Sequence, residues 1–229
     1  MKTITWLSPQ DAPDHFPPVE RALDDPAGLL AAGGDLSAQR LLAAYQRGIF
    51  PWYSAGQPVL WWSPDPRAVL LPREFRLTRS LAKTLRNRGF ELRVNGDFQG
   101  VIEGCAAPRP HSPGTWLIPE MRAAYLDLHR LGFAHSVEAW LEGGLAGGLY
   151  GIRLGGVFFG ESMFTRVRDA SKAAMAHLVQ LCLAEGIALI DCQLHSRHLA
   201  SLGSRQIPRR QFQALLRQHV SPVPGPLGP

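Results

Sequence analysis

Near the end of this 229-residue chain a carboxylate interrupts an apolar run, Leu189-Ile190-Asp191-Cys192-Gln193. Aspartate is depleted from strands, and a carboxylate taken out of water must find hydrogen-bonding or charged partners. Whatever fold forms has to supply them. On a strand, residues i and i+2 face the same side. Asp191 and Gln193 are therefore expected to project together, with Ile190 and Cys192 facing the other way. A carboxamide can donate to the carboxylate while offering its own carbonyl oxygen elsewhere. The pair is a candidate site.

The chain leading up to that run is regular. His135, Val137, Ala139 and Leu141 alternate with Ser136, Glu138 and Trp140, which predicts a strand. A Gly-rich hairpin follows through Leu145 to Tyr150, then Gly155-Gly156 and an apolar run to Phe164. Residues 171–185 read as a helix, 188–193 as a strand and 210–219 as a last helix, with a fraying Pro/Gly-rich tail over 221–229. Upstream, residues 3–7 read as a strand, and Pro13, Pro17, Pro18 and Pro26 as extended loop. A helix is predicted over 36–47, with Asp35 as N-cap and Gly48 as its stop. Pro64 and Pro66 make a rigid connector and a boundary. Beyond it come a strand at 67–71, a helix at 78–88, a strand at 90–94, and helices at 97–107 and 119–131, the last with proline at its first position. Antiparallel hairpin, helix, strand and helix in that order resembles the core of the GNAT acyltransferase fold, which says little about chemistry.

The 45% hydrophobic and 19% charged fractions suit a globular chain. Three cysteines without a CxxC imply free thiols and a cytoplasmic setting. Residues 1–18 lack the basic-then-apolar pattern of a signal peptide, and the apolar stretch 178–190 is broken by Gln180, Glu185 and Gly186, so no membrane span is expected. The net charge of +5 is unevenly placed. Arg67, Arg73, Arg76, Arg79, Lys83, Arg86, Arg88 and Arg93 form one basic group; Arg197, Arg205, Arg209, Arg210 and Arg217 form another. Such concentration points to a polyanion, nucleic acid first.

Phosphate-loop and dinucleotide motifs are absent. The position of an acetyl-CoA pyrophosphate loop reads Arg166-Val167-Arg168-Asp169-Ala170-Ser171, without glycine. His195 and His198 are three apart with no further ligand in spacing, so no metal is expected; Cys192 should face away from the candidate pair. Trp52 and Trp116, on loops, could stack unpaired bases, each worth about 1–3 kcal/mol, or simply pack. Glu161, between Gly160 and Ser162 at the end of an apolar strand, is either a pocket-mouth carboxylate or an exposed strand end.

Taken together, Gly33-Gly34-Asp35-Leu36-Ser37, Tyr45-Gln46-Arg47-Gly48-Ile49-Phe50-Pro51-Trp52, Trp61-Trp62-Ser63-Pro64-Asp65-Pro66-Arg67, Ala134-His135-Ser136-Val137-Glu138, Gly147-Gly148-Leu149-Tyr150-Gly151, Gly160-Glu161-Ser162-Met163-Phe164 and Ile190-Asp191-Cys192-Gln193 closely resemble the leucyl/phenylalanyl-tRNA–protein transferases. The resemblance runs in that family's motif order from about Gly28 to Arg217. It implies an α+β chain: a small N-terminal α/β domain (1–64) and a GNAT-like domain (65–229) with a mixed, mostly antiparallel sheet. It also implies transfer of Leu or Phe, less well Met, from aminoacyl-tRNA to an N-terminal Lys or Arg, marking the acceptor for N-degron-dependent degradation. Carried over, Asp191, Gln193 and Glu161 would surround the reacting ester and amine. Trp52 and Trp116 would sandwich the terminal adenine, and Leu149, Phe158 and Leu178 would line the donor side-chain pocket. Leu149 stands where the family can carry Met, and Thr165 where it often carries Ser.

The chemistry agrees with that implication. An aminoacyl ester is already activated, so the reaction needs no cofactor, only placement of the amine and stabilisation of the oxyanion. Asp191 is expected to fix the Gln193 amide, whose carbonyl oxygen aligns the amine; proton transfer through Asp191, water or a ribose hydroxyl stays open. Arg76, Arg79, Lys83, Arg86, Arg209 and Arg210 are the candidates for tRNA phosphates, and a monomer is expected. A GNAT-type N-acetyltransferase and a non-catalytic RNA-binding module are the alternatives.

Overall fold

The structure is a computed structural model and describes residues 2–108 and 116–228. The loop Ser112-Pro113-Gly114-Thr115 beside Trp116 lies outside the described residues. Before residue 63 the chain forms β1 (Thr5–Leu7), β2 (Leu29–Gly33), α1 (Ala38–Gln46), β3 (Phe50–Pro51) and β4 (Leu60–Trp62). These strands make a sheet of order β1-β2-β4-β3, with β1 parallel to β2 and the other pairs antiparallel.

The rest of the chain supplies β5 (Arg67–Leu70), α2 (Arg79–Asn87), β6 (Glu91–Val94), α3 (Phe98–Ala106), α4 (Pro119–Arg130), β7 (Ala134–Leu141), β8 (Gly144–Leu154) and β9 (Val157–Thr165). It continues with α5 (Ala170–Ala184), β10 (Leu189–Gln193), α6 (Arg197–Ser201), β11 (Arg205–Ile207) and α7 (Arg209–His219). The second sheet runs β11-β5-β10-β9-β8-β7-β6, antiparallel except for β9 beside β10. The fold is therefore mixed α/β with two mixed sheets.

Alternation along the central strands divides the interior. Phe158 and Ile190 go to one core with Leu149 and Leu178. Phe159 faces the opposite core, which takes in Trp61, Tyr45, Tyr125 and Phe212. That second core runs without a break from the first sheet into the large one, so the connector near Pro64 is no loose hinge. Ser63 is buried there, its N–H donating to the Gly28 carbonyl. Asp65 accepts the first backbone N–H of α7.

Two glycines are fixed by space. Gly48 stops α1 at φ +72, and a Cβ there would come within 2.7 Å of the Phe212 ring. At Gly151 a Cβ would meet the Phe159 carbonyl oxygen at 2.2 Å, so only glycine lets β8 lie this close to β9.

The structure departs from the sequence reading in several places. Ser37, not Asp35, caps α1; Asp35 instead accepts from the Ser37 N–H and from Arg40 Nε. The tail is docked rather than frayed, because Leu227 is buried and Arg153 holds the Pro226 carbonyl. β2, β3, β4, α6 and β11 went unread: β2 is short and rich in Ala and Gly, and the others are only two to five residues long. The strict alternation over 189–193 also fails. A bulge lies between Asp191 and Gln193, and Gln193 adopts φ +59, so β10 turns away as it ends.

Candidate active site

β9 and β10 run parallel only as far as the Phe159–Asp191 pair, after which β9 continues to Thr165 against β8 alone. A gap opens beyond that point. Everything chemical in the site is arranged around it.

On the β10 side, Asp191 is wholly buried against Arg67, the first residue of β5. Arg67 Nε donates to Asp191 Oδ1 at 2.8 Å and Nη2 to Oδ2 at 2.7 Å. Its third nitrogen, Nη1, reaches the Gly48 carbonyl at 3.1 Å. The guanidinium carbon sits 4.7 Å from the ring centroids of both Phe50 and Phe212. This two-pronged, desolvated ion pair is the strong form of the interaction, and it answers the demand for partners that Asp191 made. Arg67 was counted above with the basic surface; it belongs to the interior. Asp191 Oδ1 also accepts the backbone N–H of Gln193 at 2.9 Å, which pins the bulge.

The Gln193 carboxamide is held by a different group. Its Nε2 donates to Glu161 Oε1 at 2.7 Å. The expectation that Asp191 fixes this amide is therefore corrected: Asp191 fixes the backbone, Glu161 the side chain. The left-handed turn at Gln193 swings the carboxamide towards β9, while Arg67 holds the aspartate back.

Glu161, part-buried on β9, gathers two further donors. Tyr45 of α1 donates to Oε1 at 2.8 Å, and Tyr125 of α4 to Oε2 at 2.6 Å. The two phenol oxygens lie 2.9 Å apart. Desolvation raises the Glu161 carboxyl to about 7, with the Asp191 charge adding to the effect; the hydrogen bonds from Tyr125, Tyr45 and Gln193 pull the other way. Burial holds both tyrosines well above their ordinary value, so they stay protonated donors. The strand-end reading of Glu161 is excluded.

Two cavities share this wall. One, of about 200 Å³, is lined by Leu149, Phe158, Met175, Leu178 and Ile190 together with Glu161 and Gln193. The other, of about 390 Å³, is lined by Trp52 and Trp116, again with Glu161 and Gln193. Trp52 is 41% exposed and packs edge-on against Trp62; Trp116 packs edge-on against Tyr125. The two loop indoles thus border one space. Trp61 and Trp62 pack in or against the core.

The profile described as leucyl/phenylalanyl-tRNA protein transferase matches residues 69–217, and that of the family's N-terminal domain matches residues 34–65. The leucyl/phenylalanyl-tRNA–protein transferase of Chromobacterium violaceum is 56% identical over 95% of this chain and 92% of its own. That of Azoarcus sp. is 58% identical over 97% and 94%.

The chain belongs to the leucyl/phenylalanyl-tRNA–protein transferase family. It is an aminoacyltransferase. Among solved structures, the C-terminal domain of a putative lysylphosphatidylglycerol synthetase from Agrobacterium fabrum aligns with a TM-score of 0.44 and 12% identity, covering 86% of this chain and 74% of that one.

The remaining candidate residues of this transferase fall unevenly. Arg76, Arg79, Lys83, Arg86 and Arg210 are exposed, whereas Arg209 is partly buried and spends Nη1 on the Ser63 carbonyl. Cys192 borders both cavities beside Gln193 instead of facing away, because the bulge breaks the alternation. Burial pushes its thiol well up, so it stays protonated. His195 lines the indole cavity and His198 the apolar one. Among the described residues no helix is long and apolar enough to cross a membrane. Sequence reasoning missed three residues of this transferase's site: Tyr45, Tyr125 and the role of Arg67. A lone arginine opening an apolar strand was the available signal for Arg67. Tyr125 offered none.

Proposed function

We propose that this transferase moves Leu or Phe, and less well Met, from aminoacyl-tRNA to the N-terminal Lys or Arg of an acceptor protein, forming a peptide bond and marking the acceptor for N-degron-dependent degradation. One observation carries the reading: the Glu161–Gln193 bond lies in the wall between an apolar cavity and a cavity bordered by two indoles. A donor side chain among Leu149, Phe158 and Leu178, and a terminal adenine between Trp52 and Trp116, place the ester at that wall.

The chemistry asked of the wall is modest. The ester is activated, and an α-amine with an ordinary pKa of about 7.7–8.0 is partly neutral near pH 7. Placement of nitrogen against carbonyl carbon is the main requirement. Glu161 accepts from Gln193 Nε2, which leaves Gln193 Oε1 as the acceptor for an amine N–H. Asp191 acts through the bulge, fixing the Gln193 backbone, and is a positioning residue. Apolar pockets separate substrates by only about 1–3 kcal/mol per methylene, which favours tolerance among Leu, Phe and Met. Arg76, Arg79, Lys83, Arg86 and Arg210 are exposed and available to hold tRNA phosphates, whereas Arg209 is partly committed to the Ser63 carbonyl. The sheet memberships favour two units, 1–64 and 65–229, the second GNAT-like because its parallel pair β9–β10 splays where the site opens. A cytoplasmic monomer is the working form.

The test mixes the protein with Leu-tRNA labelled on leucine and a peptide beginning with Arg. Label should pass to the peptide; tRNA binding without transfer would leave only an RNA-binding module, and acetyl transfer from acetyl-CoA would favour the acetyltransferase. Gln193→Ala should lower the single-turnover rate at saturating tRNA, and a wild-type rate there would remove Gln193 from the mechanism.

A further inference from the structure

Four oxygens of three side chains are joined at the site by three short contacts, with only two phenol protons to fill them. Tyr45 Oη lies 2.8 Å from Glu161 Oε1 and 2.9 Å from Tyr125 Oη, and Tyr125 Oη lies 2.6 Å from Glu161 Oε2. Each phenol carries one proton. With Glu161 ionised, two protons serve three contacts, and one oxygen pair faces each other unbridged. With Glu161 protonated, three protons serve three contacts in one continuous direction: Oε2–H to Tyr125, Tyr125 to Tyr45, Tyr45 to Oε1. Gln193 Nε2 still donates to the second lone pair of Oε1. The cluster can therefore accommodate a proton by reorienting its hydroxyls with little movement of its oxygens, while the phenol hydrogen bonds favour the carboxylate and burial is what raises its proton affinity.

We infer that the Glu161–Tyr45–Tyr125 triangle is the proton acceptor of the transfer reaction, with Glu161 as the catalytic base and the two tyrosines as positioning residues that hold the proton in place. The inference rests on the proposed aminoacyl transfer. Glu161 borders both cavities, so it can reach the amine at their shared wall. As the nitrogen lone pair forms the C–N bond, one N–H proton passes to Glu161. As the ester C–O bond breaks, that proton returns to the departing ribose oxygen, and the carboxylate ends as it began. A carboxamide such as Gln193 cannot hold the proton, and Asp191 is occupied by Arg67. Enclosure of Glu161 raises its carboxyl to about 7, in the range where a base can both take and return a proton near neutral pH.

Besides the two tyrosines, the ionisable groups facing Glu161 are Asp191 and Cys192 on β10, Arg67 on β5 paired with Asp191, and Tyr150 on β8, with His195 and His198 bordering the cavities. Because Tyr45 and Tyr125 hydrogen bonds lower the Glu161 value, removing them must raise it. Glu161→Gln keeps an oxygen for Gln193 and isolates the proton role.

The experiment is a carbon-13 NMR titration of glutamate-labelled protein, paired with single-turnover rates from pH 5.5 to 9. One resonance, absent from Glu161→Gln, should titrate near pH 7 and move to higher pH in Tyr125→Phe. Glu161→Gln should lose about 100-fold in rate, the low end for a general base, and its residual rate should keep only the limb of the substrate amine at about pH 8, without the limb that follows the Glu161 resonance. The rate limb of Tyr125→Phe should shift upwards with its resonance. A resonance titrating in the ordinary carboxylate range, or a Glu161→Gln rate and profile matching wild type, would overturn the inference while leaving transfer itself intact. Absence of transfer by the wild type would instead overturn the proposed function.

Discussion

Arg67 and Asp191 show what a buried charge asks of a fold. Either would be a costly unpaired group in a core of Phe50, Phe212 and Val69, and each is satisfied by the other. Breaking such a pair costs far more than the pair contributes, because the survivor is left unsolvated. Arg67→Met should therefore lose about 3–5 kcal/mol in urea unfolding, and adding Asp191→Asn should recover part of it. Full stability in the single variant would mean that Asp191 has another partner. Glu161 carries a pH signature of its own. Its folded carboxyl, at about 7, lies above the ordinary value, so the folded state binds the proton more tightly. The stability this gives is complete below the unfolded value and is lost as pH rises through 7. The melting temperature of Glu161→Gln minus that of wild type should therefore increase between pH 5 and pH 8; a constant difference would show that Glu161 titrates alike in both states. The need for partners was legible from Leu189-Ile190-Asp191-Cys192-Gln193 alone. Which residues would answer it was not.

Among the elements, the end of β10 decides the site. A regular strand would carry Cys192 away from Gln193; the bulge and the left-handed turn bring both to the cavities and aim the carboxamide at Glu161. A non-glycine residue in that region costs about 1–2 kcal/mol. Gln193→Gly and Gln193→Ala both lose the carboxamide, yet the glycine variant should be the more stable by about 1 kcal/mol, with transfer impaired equally in both. Equal unfolding midpoints would argue that the turn relaxes. Periodicity read β7, β9, α5 and α7 to within a residue or two because their patterns are long, but stopped β8 at Tyr150, four residues short of its end. It failed over 189–193 because a bulge is a tertiary compromise: Asp191 is drawn to Arg67 on β5, and the strand must turn to let it. Gly48 was read as the stop of α1, but its carbonyl also receives Arg67, so the helix that carries Tyr45 is anchored to the ion pair.

Across the whole molecule, charge and core are separated. The exposed cations Arg76, Arg79, Lys83, Arg86 and Arg210 lie outside the linings of the two cavities, where contacts to a polyanion would add affinity without selecting it. Binding of tRNA should weaken steeply with salt, and Arg79→Ala with Lys83→Ala should reduce the slope of log K against log salt by about 2; an unchanged slope would place the tRNA on another face. One core spans both sheets, so the first sheet does more than precede the second: it brings Tyr45, Trp52 and Phe50 to the site. The amino-acid order by itself determined the central strands, the major helices, the family resemblance and the residue types of the site, because propensity, alternation and motif spacing act between neighbours along the chain. Only the tertiary structure decided that Asp191 belongs to Arg67, 124 positions away, and Glu161 to Tyr45, 116 positions away. A desolvated charge or hydroxyl bonds to whatever the packed core sets beside it, and that neighbour exists only once the sheets have closed over the space.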